Sequence, residues 1–379
     1  MITGSVTVKP QAFAAAVKWA AKFLDARPSV PIWAGLMLEA GDGTLRITAV
    51  NENVSAVAAV PVDGDGKGRT VVSGRLLGAL VGTFTNADVT ISGETETLTL
   101  VAGRWTGTLP TMSEDDYPAV PDVPATIGTV SGDEFSRVVA EAAAATSKDT
   151  DKAANWRSIL LTFGESEVRA IASDSLRAAG ASAGFSRDAG EVGETALLLA
   201  DAMVDVAAGF IGPDRIEVGL SGTQLALSSA TRSVVMRMMA GAEYPAAVIS
   251  GLITQERPEH AVVTVADLTR PLKRAALMRD KDGPVAIRFT AGMMTIASSG
   301  GDVKRAGDEE IDVVYDGPEV TLHFNPGYLA DALNSAPGEQ VDIGLTDKTG
   351  RGGRPEAVVL TVPGTEWRHV LMPIRPVGK

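Results

Sequence analysis

His369-Val370-Leu371-Met372-Pro373-Ile374-Arg375-Pro376 reads as a strand stopped by a proline and followed by a short basic tail. Proline lacks the N–H that a β-ladder needs and fixes φ, so pairing ends there. The same punctuation stands twice upstream, at Tyr117-Pro118 and Tyr244-Pro245, each time after an alternating run and an acidic turn. The prolines are evenly spaced, since 245 − 118 = 127 and 373 − 245 = 128. The spacing predicts one supersecondary unit written three times, with the tail closing the third copy.

The order of elements agrees with three copies. The first opens with an alternating strand over 5–8 and a helix on which Phe13, Val17 and Ala20 share a face. Strands follow over 35–39, 45–48 and 54–60, and a second round places a helix over 74–81 among further strands. The second copy repeats this, with helices over 132–145 and 200–210; the third places them over 267–278 and 326–334. A period this long is that of a domain rather than a solenoid repeat. The expected domains are 1–124, 125–253 and 254–379, joined by Pro-rich linkers over 118–124 and 245–258. Three unrelated α+β domains are the alternative, which the matching order and proline spacing disfavour.

At 379 residues the chain exceeds one compact core, and its 45% hydrophobic content allows globular folding throughout. No apolar run approaches the roughly 20 residues of a membrane span, so no membrane partner is expected. Met1-Ile2-Thr3-Gly4 leads straight into alternation, which does not read as a signal peptide. The absence of cysteine excludes disulfides, thiolate catalysis and Cys-ligated zinc, and suits a cytoplasmic location. A net charge of 34 − 47 = −13 argues against a global basic field, so any nucleic-acid contact must come from local patches.

Four strings, taken in order, resemble a known family: Arg27-Pro28-Ser29-Val30-Pro31-Ile32, Ala172-Ser173-Asp174-Ser175-Leu176-Arg177, Phe324-Asn325-Pro326-Gly327-Tyr328-Leu329 and Met372-Pro373-Ile374-Arg375. On a threefold repeat they resemble the bacterial replicative sliding clamp, the β subunit of DNA polymerase III, over nearly the whole length. The resemblance implies an α+β fold of three tandem DNA-clamp domains. In a head-to-tail homodimer, helices would line a ring around double-stranded DNA and antiparallel sheets would form its outside. It implies a processivity factor that tethers the replicative polymerase α subunit, the clamp loader and other clamp-binding-motif proteins, with no catalytic residue, metal or cofactor.

The resemblance also implies sites. A client-peptide pocket would be walled by Trp156, Ser173, Ser175, Leu176, Arg177, Ala178, Pro245, Ile249, Ser250, Asn325, Tyr328, Val370, Leu371, Met372, Pro373, Ile374, Arg375 and Pro376, with Arg177 and Arg375 at its rim. Core packing is the competing reading for Val370 and Met372. Arg27, Lys148 and Lys152 are the expected DNA contacts. Further bases on the first helices, Lys18, Lys22, Arg137, Lys273, Arg274 and Arg279, could meet phosphates or be ordinary solvated faces. Trp105, Leu277 and Met278 are placed at the dimer seam.

The pocket departs from the family pattern. Ser175-Leu176-Arg177-Ala178 replaces a Gly or Arg, an aromatic or His, then Arg-Leu, and Ala246 to Ser250 lacks the usual aromatic and arginines. An alternative is therefore a paralogous clamp that resists a pocket-binding cyclic peptide of the griselimycin type. A further alternative is a metal-dependent nuclease or hydrolase, but its signals are weak. His260, His323 and His369 lack zinc spacing, no Gly-x-Ser-x-Gly elbow occurs, and Gly64-Asp65-Gly66-Lys67-Gly68 reads as a flexible loop rather than a phosphate or calcium loop. Gly350 to Arg354 reads as a mobile hairpin loop.

Overall fold

The computed structural model describes residues 1–25, 28, 30–212, 215–239, 243–280, 283–300, 305–348 and 355–375. Arg27, Pro376 and the Gly350 to Arg354 run lie outside them. The chain divides into two compact units: Met1–Asp133 with Ser186–Gly190 and Asp205–Ala240, and Glu134–Phe185 with Glu191–Val204 and Gly241–Lys379.

In the first unit, helix Pro10–Ala21 starts with proline at a position whose N–H would be unpaired in any case. It buries Phe13, Ala16, Val17, Trp19 and Ala20, an apolar stripe at three- to four-residue spacing. Strands Gly35–Gly41, Thr44–Val50 and Val54–Pro61 form an antiparallel meander. Its first turn, Asp42-Gly43, has positive φ at both residues (49° and 71°), the backbone a tight hairpin requires. Val54–Pro61 then pairs with Arg232–Arg237, so the sheet runs on from the first expected copy into the second. The glycine run after Val62 is no free loop. Asp63–Gly64 pairs with Ser5–Val8, and a Cβ on Gly64 (φ 118°) would meet the Ser5 carbonyl oxygen at 2.3 Å.

The second unit repeats the plan. Ser158–Phe163, Glu167–Ser173 and Arg177–Arg187 form the meander, and Arg177–Arg187 pairs with the terminal strand Arg368–Leu371. Helices Val265–Met278 and Pro326–Ser335 pack over a core that includes Trp367, Phe289, Leu272 and Leu329. Both helices are capped by side chains, Thr264 accepting from the Asp267 N–H and Asn325 from the Gly327 N–H.

Three expectations change here. The segment after Pro245 is a helix, Ala246–Ile253, rather than a linker. Ile249 and Ile253, one turn apart, are its buried face and supply the packing a short helix needs. Trp156, which the sequence pattern places at the start of a strand over 156–163, sits instead in a 3-10 turn, Ala154–Arg157, before a strand that begins at Ser158. Arg305–Asp312 forms a fourth strand on Met293–Gly300, unforeseen because Arg-Ala-Gly-Asp-Glu-Glu-Ile-Asp lacks alternation.

Candidate functional site

The turn Asp174-Ser175-Leu176 is held by its own first residue. Asp174 Oδ1 accepts from the N–H groups of Leu176 (2.9 Å) and Arg177 (3.1 Å), and Oδ2 accepts from Arg177 Nε (3.0 Å). Ser173 Oγ donates to the Arg177 carbonyl (2.8 Å) and accepts from the Ser175 N–H (3.1 Å). Ser175 takes φ 80°, a left-handed conformation that costs a non-glycine residue on the order of 1 kcal/mol and persists because these bonds over-determine it.

Arg177 is not a rim cation waiting for a peptide. Its side chain is 3% exposed and its remaining nitrogens are engaged, Nη1 with Asp331 (2.8 Å) and Nη2 with the Thr146 carbonyl (3.0 Å). The guanidinium lies 4.3 Å from the centre of the Tyr328 ring, a cation–π contact. Arg177 therefore positions the site: it ties the turn to helix Pro326–Ser335 through Asp331 and Tyr328. Sequence reasoning missed Asp174, Thr146 and Asp331 as members. The Asp-x-x-Arg spacing is a local turn signal, but Asp331 is 154 residues from Arg177 and leaves no such signature.

The tail joins the same turn. Arg177 faces Leu371 and Ala178 faces Val370 in the ladder; Met372 N–H then donates to the Leu176 carbonyl (3.1 Å), and Ile374 N–H to the His323 carbonyl (2.7 Å). The expected pocket residues thus fall into two groups. Ile249, Val370, Leu371 and Ala178 are core, so the packing reading holds for Val370. Leu176, Met372 and Ile374 are exposed, a set of large apolar side chains on adjoining backbone. Arg375 is exposed, Pro373, Pro245, Asn325 and Trp156 are half-buried, and Ser250 borders a cleft of about 60 Å³ under helix Ala246–Ile253.

His369 stands directly behind this surface. It is fully buried, neither ring nitrogen has a hydrogen-bond partner among the described residues, and burial followed by the nearby Arg177 charge lowers its pKa to about 3. An unfolded histidine titrates near ~6.5, so below that pH the unfolded chain takes up a proton that the folded chain refuses down to about pH 3. Stability present above pH ~6.5 is therefore lost as pH falls through this window, by at most about 1.4 kcal/mol per pH unit. His369→Leu should flatten that acid-side decline in urea-unfolding free energy; an unchanged slope would mean the ring is solvated.

The basic residues divide likewise. Lys18 and Lys22 are exposed one turn apart on helix Pro10–Ala21 and its C-cap. Lys148 is 78% exposed but reaches Asp331 at 3.4 Å, and Lys152 donates to the Asp174 carbonyl at 3.2 Å. Arg137 lies between Glu134 (2.7 Å) and Glu141 (2.9 Å), and Arg274 pairs with Glu309, so these two bases are already neutralised by carboxylates. Of the expected seam residues, Leu277 is 78% exposed and Met278 half-buried in a cleft of about 200 Å³. Trp105 is 39% exposed, its ring 5.2 Å from that of Phe84 and lying over Gly107, where a Cβ would meet it at 2.5 Å.

Two family models match, those of the DNA polymerase III beta subunit N-terminal domain, over residues 5–121, and C-terminal domain, over residues 251–375. The beta sliding clamp of Streptomyces coelicolor is 28% identical, covering 98% of this chain and all of its own. That of Micrococcus luteus is 30% identical over 78% of this chain and 95% of its own. The beta sliding clamp homolog GriR of Streptomyces muensis is 25% identical over 97% and 98%. Among solved structures, the Pseudomonas aeruginosa DnaN sliding clamp bound to griselimycin superposes with a TM-score of 0.90 at 18% identity, covering 99% of this chain and 100% of that one. A tandem α+β fold that matches these models and relatives along most of its length is that of a clamp protein. The chain belongs to the DNA polymerase III beta subunit family, the beta sliding clamps. This family consists of non-catalytic processivity factors that act as dimers on DNA with polymerase and other clamp-binding partners, which displaces the nuclease or hydrolase alternative. Among the described residues, no helix is long and apolar enough to cross a membrane.

Proposed function

We propose that this chain acts in the cytoplasm as a head-to-tail ring dimer whose client pocket is the surface formed by Leu176, Met372 and Ile374 on the locked Asp174 turn. The observation that carries it is the cross-tie of turn, tail and helix Pro326–Ser335 through Arg177, which fixes exposed apolar side chains at one place. Such a surface, adaptable through Met372, suits short linear peptides. Three copies over 1–124, 125–253 and 254–379 are part of the reading, supported by the repeated meander and the two family-model spans. Arg27, Lys148 and Lys152 are proposed to face DNA, and Trp105, Leu277 and Met278 to form the seam.

Deleting 372–379 removes the apolar tail but leaves the ladder of Arg368–Leu371 intact. Affinity for a fluorescent clamp-binding peptide of the polymerase α subunit should fall at least about tenfold while the dimer persists. Undiminished binding by the truncated ring would place the pocket elsewhere.

A second reading is favoured by the chemistry of helix Ala246–Ile253. Where the family carries an aromatic and arginines, this helix offers Ala246, Ala247 and an exposed Val248. We infer a clamp that keeps replication running in the presence of a griselimycin-type cyclic peptide. The similarity to GriR, and to a clamp solved with griselimycin bound, supports it. Calorimetric titration should give an affinity at least about tenfold weaker than that of an ordinary clamp, and equal affinity would remove the idea.

A further inference from the structure

We propose that the chain carries a second peptide-docking groove, beside Asn53 and Arg237 in the first unit, which takes an extended polypeptide segment bearing an acidic side chain. The inference rests on the client-pocket reading above, because this groove is that pocket's counterpart in the repeat.

The correspondence is atomic. Val54 faces Met236 in the ladder as Arg177 faces Leu371. Arg237 N–H donates to the Asn53 carbonyl (2.8 Å) as Met372 N–H does to that of Leu176 (3.1 Å). Asn51 Oδ1 accepts from the N–H groups of Asn53 and Val54, both at 2.8 Å, as Asp174 Oδ1 accepts from those of Leu176 and Arg177. The Tyr117 hydroxyl donates to the Thr48 carbonyl (2.8 Å), as that of Tyr244 does to Ile171 (3.5 Å). The turn, the ladder and the tyrosine anchor all recur. A groove of about 420 Å³ opens beside them, with Ala119 and Pro121 on one side and Thr223 and Gln224 on another.

Its chemistry is not that of the client pocket. Ser55 stands where the other site has Ala178; it lines the groove, is 4% exposed, and its Oγ has no hydrogen-bond partner among the described residues. A buried hydroxyl left unpaired costs about 1–3 kcal/mol, which a main-chain N–H or C=O from an extended ligand would recover. Arg237 stands where the other site has Met372, exposed and with no side-chain partner among the described residues. Its guanidinium matches a carboxylate in the ligand. Val54 replaces Arg177, so the floor is apolar and uncharged, formed with the buried Val235. Asn53 and Gln224 provide amides that pair with either sense of a peptide backbone. Glu52 at the same rim and the net charge of −13 hold the occupant to a single carboxylate set against Arg237, and disfavour a phosphate backbone, which carries a charge at every residue.

The test is selection of a random-hexapeptide display library on the intact dimer carrying Leu176→Asp and Met372→Asp, which block the client surface. Enriched peptides, synthesised and titrated against the dimer with Arg237 intact, should contain an Asp or Glu. They should lose about tenfold or more in affinity with Arg237→Glu and about threefold or more with Ser55→Ala. The Ser55→Ala chain should be as stable as its parent or more so, because it loses only an unpaired hydroxyl. No enrichment over a bare surface, or enriched peptides indifferent to both substitutions, would overturn the proposal. The client-pocket reading is judged separately, by the polymerase peptide on the chain truncated at Leu371.

Discussion

Asp174→Ala is expected to destabilise the chain by about 3–5 kcal/mol, the usual cost of removing one partner from a buried ion pair. Asp174 and Arg177 have side chains 2% and 3% exposed, and the same carboxylate closes the turn through two backbone N–H groups. Alanine leaves the guanidinium with Asp331 as its one carboxylate partner among the described residues, and Asp331 is itself 29% exposed and shared with Lys148. Two turn N–H groups lose their acceptor as well. Asp174→Asn should do less harm, since an amide oxygen still accepts from the turn while the charge is lost. Denaturant unfolding by Trp fluorescence, with amide exchange on strand Arg177–Arg187, measures both variants. A loss for Asp174→Ala below about 1 kcal/mol would show that water replaces the carboxylate at little cost. Client-peptide affinity should fall with stability, because Leu176 and the Met372 backbone are held by this turn.

The second large effect is expected at the ring seam. Leu277 is 78% exposed on helix Val265–Met278, and Trp105 keeps 39% of its surface in solvent although Phe84 and Gly107 fix its ring. Rigid aromatic and aliphatic side chains held out of a fold are the usual anchors of an interface. Leu277→Asp would set a carboxylate in the apolar contact proposed for the seam. The dimer should weaken at least about 100-fold, close to 3 kcal/mol, with little change in the fold of the monomer. Sedimentation equilibrium reads the dimer constant, and co-elution with nicked circular plasmid reads the ring. A wild-type dimer constant would exclude Leu277 from the seam.

The tandem architecture was legible because its signals are local. Tyr-Pro at even spacing, the period-two strands and the apolar stripes on Pro10–Ala21 and Gly132–Ala143 each need only a short window. Of the four family strings, the structure brings the last three together, Tyr328 against Arg177 and Met372 against Leu176. What stayed hidden depends on distance in sequence. The Arg177–Asp331 tie joins residues far apart, so an arginine that looked like a rim cation is an internal brace. Helix Ala246–Ile253 was missed because flanking prolines suggest a linker, and its packing against Gly180 is decided by the sheet beneath. Charge alone marks Lys152 as a phosphate contact but gives no sign of the bond its ammonium also donates to the carbonyl of Asp174, 22 residues away.

The pairing of Val54–Pro61 with Arg232–Arg237 also sets a clock on synthesis. On the ribosome the earlier strand emerges long before the partner that covers its edge. At about 5–20 residues per second, the interval from residue 61 to residue 237 lasts roughly 10–35 s, during which that ladder has one open side. Strand Arg177–Arg187 waits comparably for Arg368–Leu371. The same feature that makes one repeat continue into the next therefore leaves the nascent chain with a sequence of temporary sticky edges. It follows that slowing translation between these strands should raise aggregation or chaperone demand more than slowing it after the last one.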